Sequence, residues 1–248
     1  MSPVESVVES PIAISVESRV QAQDWQALRR ELDGFGAAIL PGLLSAEECD
    51  GIAGLYPQER HFRSHIHMAR HGFGRGEYRY FAYPLPGLIA DLRKALYPRL
   101  APVANDWAMR MGGATPYPAE HADFLAACHA GGQTRPTPLL LQYVEGDYNC
   151  LHQDLYGALA FPLQVAVLLS EPGRDFTGGE FVLTEQRPRM QSRAEVVPLR
   201  QGDAVIFAVH NRPVQGSRGS YRVNLRHGVS RLRSGRRHTL GIIFHDAL

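Results

Sequence analysis

The 248-residue sequence predicts an all-β core with α-helical additions, helices first and strands second. Three observations carry this. Before a breaker-rich joint at Gly131–Pro138, apolar residues recur at helical spacing. After it, short apolar runs follow one another, separated by Gly, Pro and polar turns. Their spacing suits a β-sandwich or barrel and not βαβ units. No internal repeat and no long linker divides the chain. It reads as a flexible tail over residues 1–20 and one domain over 21–248, with helical support at 21–136 and a β core at 137–248.

The elements follow in order. Residues 1–20 alternate Val, Glu and Ser without a core pattern and read as a mobile tail. Trp25, Leu28 and Leu32 lie on one helical face, which Gly34 and Gly36 end. Residues 37–40 (AAIL) form a short strand. Ser45-Ala46-Glu47-Glu48 is a capping box that opens a helix through Leu55. Leu88, Leu92 and Leu96 mark another helix, which Pro98 ends or kinks. Residues 118–129 make one more. The runs LLLQYV, FPLQVAVLLS, EFVLTE, AEVVPL, DAVIFAV, YRVNLRHGVS and HTLGIIF supply the strands.

Composition excludes several classes. The chain is 44% hydrophobic and 21% charged, the balance of an ordinary globular protein. No run approaches the roughly 20 apolar residues of a membrane span. The acidic N-terminus lacks the pattern of a secretory signal. Cys49, Cys128 and Cys150 are too few for a disulfide scaffold and read as inert thiols, with Cys150 lining the core. A cytoplasmic protein with no evident protein partner is expected. The net charge of +1 hides an asymmetry. Residues 1–170 hold 13 basic and 18 acidic side chains (−5), and residues 171–248 hold 13 and 7 (+6). Every base in the second stretch is arginine, which suits an anionic partner and equally reflects genome composition.

The chemistry centres on two segments. His152 and Asp154 are two apart, so in an extended chain both face one way and can grip one ion. That spacing is common by chance, but a second block, residues 227–239, raises it. His152, Asp154 and His227 together make the two-histidine, one-carboxylate triad of non-haem Fe(II) oxygenases. Such a triad leaves room on an octahedral metal for a chelating 2-oxo acid and for O2. The far carboxylate of that acid needs a counter-charge. Arg237, ten residues after His227, can fork onto it, with the Thr239 hydroxyl facing the same way. Arg236 is its rival, but adjacent strand residues point to opposite faces.

On these residues the chain resembles the Fe(II)/2-oxoglutarate-dependent dioxygenases. The resemblance implies a double-stranded β-helix (jelly roll) flanked by N-terminal helices. The His152-x-Asp154, His227, Arg237 layout is similar to the prolyl-hydroxylase pattern. Gly178-Gly179-Glu180-Phe181 and residues 202–207 resemble that family's intervening strands. Residues 139–154 resemble the AlkB-type nucleic-acid demethylases, in which a tyrosine at the place of Tyr143 touches 2-oxoglutarate. Leu141 and Ile243 stand where those enzymes carry an asparagine and a second arginine, so the clamp is of the single-arginine kind. The whole chain is most similar to a bacterial oxygenase group of the Oxygenase-NA type, for which nucleic-acid substrates are proposed.

The resemblance implies Fe(II), 2-oxoglutarate and O2, with His152, Asp154 and His227 as ligands and catalytic residues. It places Arg237, Thr239 and Tyr143 on 2-oxoglutarate. The implied reaction couples oxidative decarboxylation of 2-oxoglutarate to hydroxylation, or oxidative demethylation, of a nucleic acid. Protein side-chain hydroxylation, a small-metabolite hydroxylase and a non-catalytic jelly-roll binder are the alternatives. Two basic segments are candidates for substrate binding: residues 70–81, with Arg75 and Tyr78, and residues 186–193, with Arg187, Arg189 and Arg193 in a hairpin near the mouth. His61, His65, His67 and His71 could hold a second metal. With no spaced carboxylate or cysteine beside them they read as a polar loop. His210 reads as structural or surface, and His245-Asp246 as a tail.

Overall fold

The apolar runs after residue 138 pair with one another in a computed structural model, which describes residues 14–113, 115–154, 157–217 and 219–248. The N-terminal half contains α1 (Val16–Gln21), α2 (Trp25–Phe35), β1 (Ala37–Leu40), α3 (Ala46–Ala53), β2 (Phe62–His67), β3 (Gly74–Arg75), β4 (Glu77–Phe81), α4 (Gly87–Arg110) and α5 (His121–Ala130). The second half contains β5 (Leu139–Val144), β6 (Tyr148–His152), β7 (Leu163–Leu168), β8 (Phe176–Gly178), β9 (Phe181–Gln186), β10 (Arg193–Val197), β11 (Ala204–Ala208), β12 (Asn211–Gly216), β13 (Gly219–Val229) and β14 (Leu232–Ile242).

The larger sheet runs β1-β11-β7-β14-β5-β4-β2, with β8 on β14, and the smaller runs β10-β9-β13-β6-β3, with β12 on β13. From β5 onward the chain crosses repeatedly between the two sheets, with β9–β10 and β12–β13 as hairpins within the smaller one, which makes a double-stranded β-helix. All ladder pairings are antiparallel. β7 and β11 are buried at every residue. Such strands have both faces covered, which is why they read as unbroken apolar runs. Helices α3 and α4 lie against β14.

Local chemistry explains the helices. Asp24 caps α2 by accepting from the Ala27 N–H at 2.9 Å, and Gly36 ends it at φ 81°. The Ser45/Glu48 capping box opens α3 as the sequence predicts. α4 differs from the expectation, because it continues through Pro98 and Pro102 to Arg110. The missing donors are tolerated because Leu96, Tyr97, Leu100, Ala101, Ala104 and Trp107 are buried along it. Tertiary packing outweighs local propensity there.

Four further expectations are corrected. The tail assignment fails from Val16 onward: α1 is a helix, with Val16 and Val20 buried; residues 1–13 lie outside the described residues. The stretch 21–136 is not purely helical support. β1, β2 and β4 extend the larger sheet and β3 the smaller. The alternation of Tyr78 and Tyr80 with Glu77 and Arg79 in β4 was the available signal. The C-terminal His245 and Asp246 are fully buried. Asp246 pairs with the buried Arg93 of α4 at 2.8 Å and also accepts from Tyr83 Oη and His129 Nε2, each at 2.8 Å. A buried guanidinium requires such a partner. Finally, Cys150 is exposed and does not line the core.

Candidate active site

β6 and β13 bring the two histidines together. His152 and His227 are direct cross-strand partners, and their ring centroids lie 4.2 Å apart. Asp154, just past the end of β6, turns back between them. Its Oδ1 is 3.4 Å from His152 Nε2 and its Oδ2 is 3.4 Å from His227 Nε2. The register of β13 against β6 shifts between His227 and Val229. Gly228 permits this, since a Cβ there would meet the Asn149 carbonyl oxygen at 2.7 Å.

The rings are held in ligand-ready states. His152 Nδ1–H donates to the Cys150 carbonyl at 2.8 Å, which orients the ring so that Nε2 faces Asp154. The His227 ring stacks near Phe181 (16° interplanar) and packs on Phe207 at 4.5 Å. Burial pulls His227 below the usual histidine range. His152 moves the other way, because the Asp154 carboxylate outweighs its burial. Burial would raise Asp154, yet hydrogen bonds from both imidazoles hold it well below the usual carboxylate range. One anion and two imidazole nitrogens therefore converge, with ligand atoms within 4.8 Å of one another.

A cavity of about 240 Å³ opens beside this triad and reaches Arg237. Arg237 and Thr239 project inward from β14, and Tyr143 from β5, where it is the cross-strand partner of Arg237. Arg237 is 1% exposed and donates to Thr239 Oγ1 at 2.5 Å. Its guanidinium lies 5.6 Å from the Tyr143 ring centroid and 5.8 Å from that of Phe176. Burial pulls it down to about 10, which leaves it charged at neutral pH. Among the described residues no carboxylate lies within ion-pair distance of it, and Arg237 Nε and Tyr143 Oη lack partners. A buried cation without a counter-ion is costly unless a ligand supplies the charge. Arg236, one residue away, is exposed.

The other expected residues divide. Tyr78 lines the cavity, beside Phe73 and Tyr80. Arg75 does not; it is 61% exposed and lies 3.7 Å from Asp147. Arg187, Arg189 and Arg193 are also absent from the cavity wall. Arg187 and Arg193 are ion-paired with Glu185 at 2.8 and 3.6 Å. Glu185 is itself buried against Arg212. These two arginines thus balance a carboxylate that strand alternation placed inside. Arg189 occupies the hairpin turn with φ 63°. His210 stays apart, beside Asn211. The sequence reading missed Phe181 and Phe207, although both sit on the apolar face of predicted strands. Leu141 and Ile243, the two departures from the AlkB-type pattern, are in the cavity wall.

A family model described as "Oxygenase, catalysing oxidative methylation of damaged DNA" matches residues 76–247. The chain belongs to this Oxygenase-NA family. The oxygenase is thus a 2-oxoglutarate-dependent dioxygenase that works with Fe(II), 2-oxoglutarate and O2. It is 52% identical over 167 residues to the uncharacterized protein Rv2227 of Mycobacterium tuberculosis (strain ATCC 25618 / H37Rv), covering 67% of this chain and 72% of that one. Its fold is similar to that of a Pseudomonas putida prolyl-4-hydroxylase (TM-score 0.54, 14% identity, 90% of this chain and 99% of that one). It is also similar to a 2OG-Fe(II) oxygenase family oxidoreductase from Burkholderia pseudomallei (TM-score 0.51, 17% identity, 91% and 94%). The residues of the oxygenase fit these groups. The N,N,O donor set suits Fe(II), and the unpartnered Arg237 and Tyr143 atoms suit a dianionic acid.

Proposed function

We propose that His152, Asp154 and His227 are the iron ligands, that Arg237, Thr239 and Tyr143 seat 2-oxoglutarate, and that the substrate is a nucleic acid. One observation carries the site assignment: a buried guanidinium without a counter-ion shares a cavity with the triad. Iron, when bound, supplies the Lewis-acid and redox chemistry that couples decarboxylation of 2-oxoglutarate to oxidation of a substrate C–H bond. The chain's own residues prepare that chemistry. The Cys150 carbonyl fixes the His152 tautomer. Phe181 and Phe207 hold the His227 ring. The two imidazoles keep Asp154 ionised. Arg237 orients the far carboxylate as a planar fork. Phe73, Tyr78, Tyr80, Leu139 and Leu141 give the cavity an apolar wall that excludes water.

The nucleic-acid reading rests on the matched family's description and on those aromatic side chains. Tyr78 and Tyr80 project into the cavity, and Phe73 is 47% exposed. Stacking on such rings suits an unpaired or flipped-out base. The site is then expected to hydroxylate, or oxidatively demethylate, a damaged base. No helix is long and apolar enough to cross a membrane. The cysteines are free, which suits a cytoplasmic setting. The test is succinate release over alkylated single-stranded DNA, RNA, proline-containing peptides and metabolite pools. Turnover driven by nucleic acid supports the reading. Turnover driven by peptide alone transfers the assignment to protein side-chain hydroxylation, and absence of both turnover and 2-oxoglutarate binding makes the chain a binder.

A further inference from the structure

The hairpin of β2 and β4 carries a second set of metal-ligating side chains on the face opposite the cavity. His65 and His67 are two apart on β2 and project from one face. Glu77 is the direct cross-strand partner of His67. It supplies the carboxylate that linear spacing did not reveal. Its Oε2 lies 2.9 Å from His65 Nε2, and its Oε1 lies 3.2 Å from His67 Nδ1. The two imidazole centroids are 4.4 Å apart, and one ligand atom from each of the three residues falls within 4.8 Å of the others. Tyr56 Oη donates to Glu77 Oε2 at 3.3 Å, as a neighbour that orients a ligating carboxylate does.

We propose that His65, His67 and Glu77 form a second divalent-metal site, separate from the iron triad, of the N,N,O type that takes zinc. Zinc sites with two histidines and a glutamate keep a position open for water. Solvent can supply it here, because the three side chains are 32–39% exposed. A single hydrogen-bonded pair would need only one imidazole at Glu77. Here two imidazoles reach the two different oxygens of one carboxylate, an arrangement that an ion can occupy with little movement. The nearby cation, Arg79, is stacked over the rings of Tyr56 and Phe62 at 5.0 and 5.7 Å. Tyr78 lies between Glu77 and Arg79 in sequence and points the other way, into the cavity. The second ion would therefore pin the edge strand β2 to the strand that carries a cavity wall. An unpinned edge strand is held by one neighbour alone.

The test uses the full chain freed of metal by a chelator. In a His152→Ala, Asp154→Ala, His227→Ala variant, zinc titration followed by calorimetry should show one equivalent bound. Cobalt(II) in its place should give visible d–d bands. Adding His65→Ala and His67→Ala should abolish both signals, and Glu77→Gln should weaken binding. Zinc should also raise the melting temperature of the triad variant. The absence of binding in that variant, or one equivalent retained after the His65 and His67 changes, overturns the proposal. Should the triad variant fail to fold, the wild-type chain is compared with His65→Ala/His67→Ala alone. Two equivalents against one supports the site, and equal stoichiometry overturns it.

Discussion

Arg237 shows how much one side chain decides. Its guanidinium is buried and donates to Thr239 Oγ1, and the cavity brings it to the same space as His152, Asp154 and His227. Lysine keeps the charge but loses the fork. Arg237→Lys should weaken 2-oxoglutarate binding roughly ten- to a hundred-fold, the loss of about one charge-assisted hydrogen bond, as read by anaerobic titration. Arg236→Lys, on an exposed residue, should leave that titration unchanged. Alanine at His152 or Asp154 should abolish succinate release while Arg236→Lys does not. Gly228→Ala is a subtler test. Its Cβ would press on the Asn149 carbonyl and push β6 from β13. Iron affinity, read by equilibrium dialysis, should fall even though no ligand changes. The triad and the arginine were legible in the sequence because strand alternation fixes which side chains share a face. The Phe181 and Phe207 packing was not, because contacts between strands distant in sequence leave no linear spacing.

At the scale of elements, α4 and the C-terminal residues are bound by a buried polar cluster. Arg93 donates to the Ile243 carbonyl at 2.8 Å and to Asp246 Oδ1 at 2.8 Å. The arginine is 2% exposed and Asp246 is fully buried. Burial would raise the Asp246 carboxyl, but Arg93 holds it low. Removing Arg93 leaves the buried Asp246 carboxylate without its guanidinium, with Tyr83 and His129 as its remaining side-chain partners. Arg93→Met should destabilise the chain by about 3–5 kcal/mol in a denaturant melt. A short C-terminal stretch read alone looks like a tail, because nothing local reports that an arginine 153 positions earlier needs its carboxylate. The β2–β4 hairpin has the same lesson. Its histidines suggested a polar loop until Glu77 arrived from the facing strand.

For the molecule as a whole, acidity is the informative variable. His121, His238 and His245 are each drawn down to about 4 from 6.5, chiefly by burial. His121 Nε2–H donates to the Phe244 carbonyl at 2.8 Å, while His245 Nδ1 accepts from the Phe161 N–H at 3.1 Å, a bond only the neutral ring can make. Between those two values the unfolded chain binds more protons than the folded one. Stability should therefore fall as pH drops from about 6.5 towards 4 and stay flat above 7 on this account. Melting temperatures across that range check this, and His121→Gln should flatten part of the slope. If the substrate is a nucleic acid, binding should weaken steeply with salt as phosphate contacts release counterions.

The sequence by itself determined the order of helices and strands, the alternation that separates Arg237 from Arg236, and the residue types that suit iron. Periodicity and donor chemistry are local properties, so a linear reading reaches them. Only the tertiary structure decided that Arg187 and Arg193 serve the buried Glu185 and do not line the cavity. It also decided that Glu77 completes a histidine pair and that Asp246 is an interior charge. Each depends on which distant strand or helix lies alongside, and that is set by packing two sheets face to face.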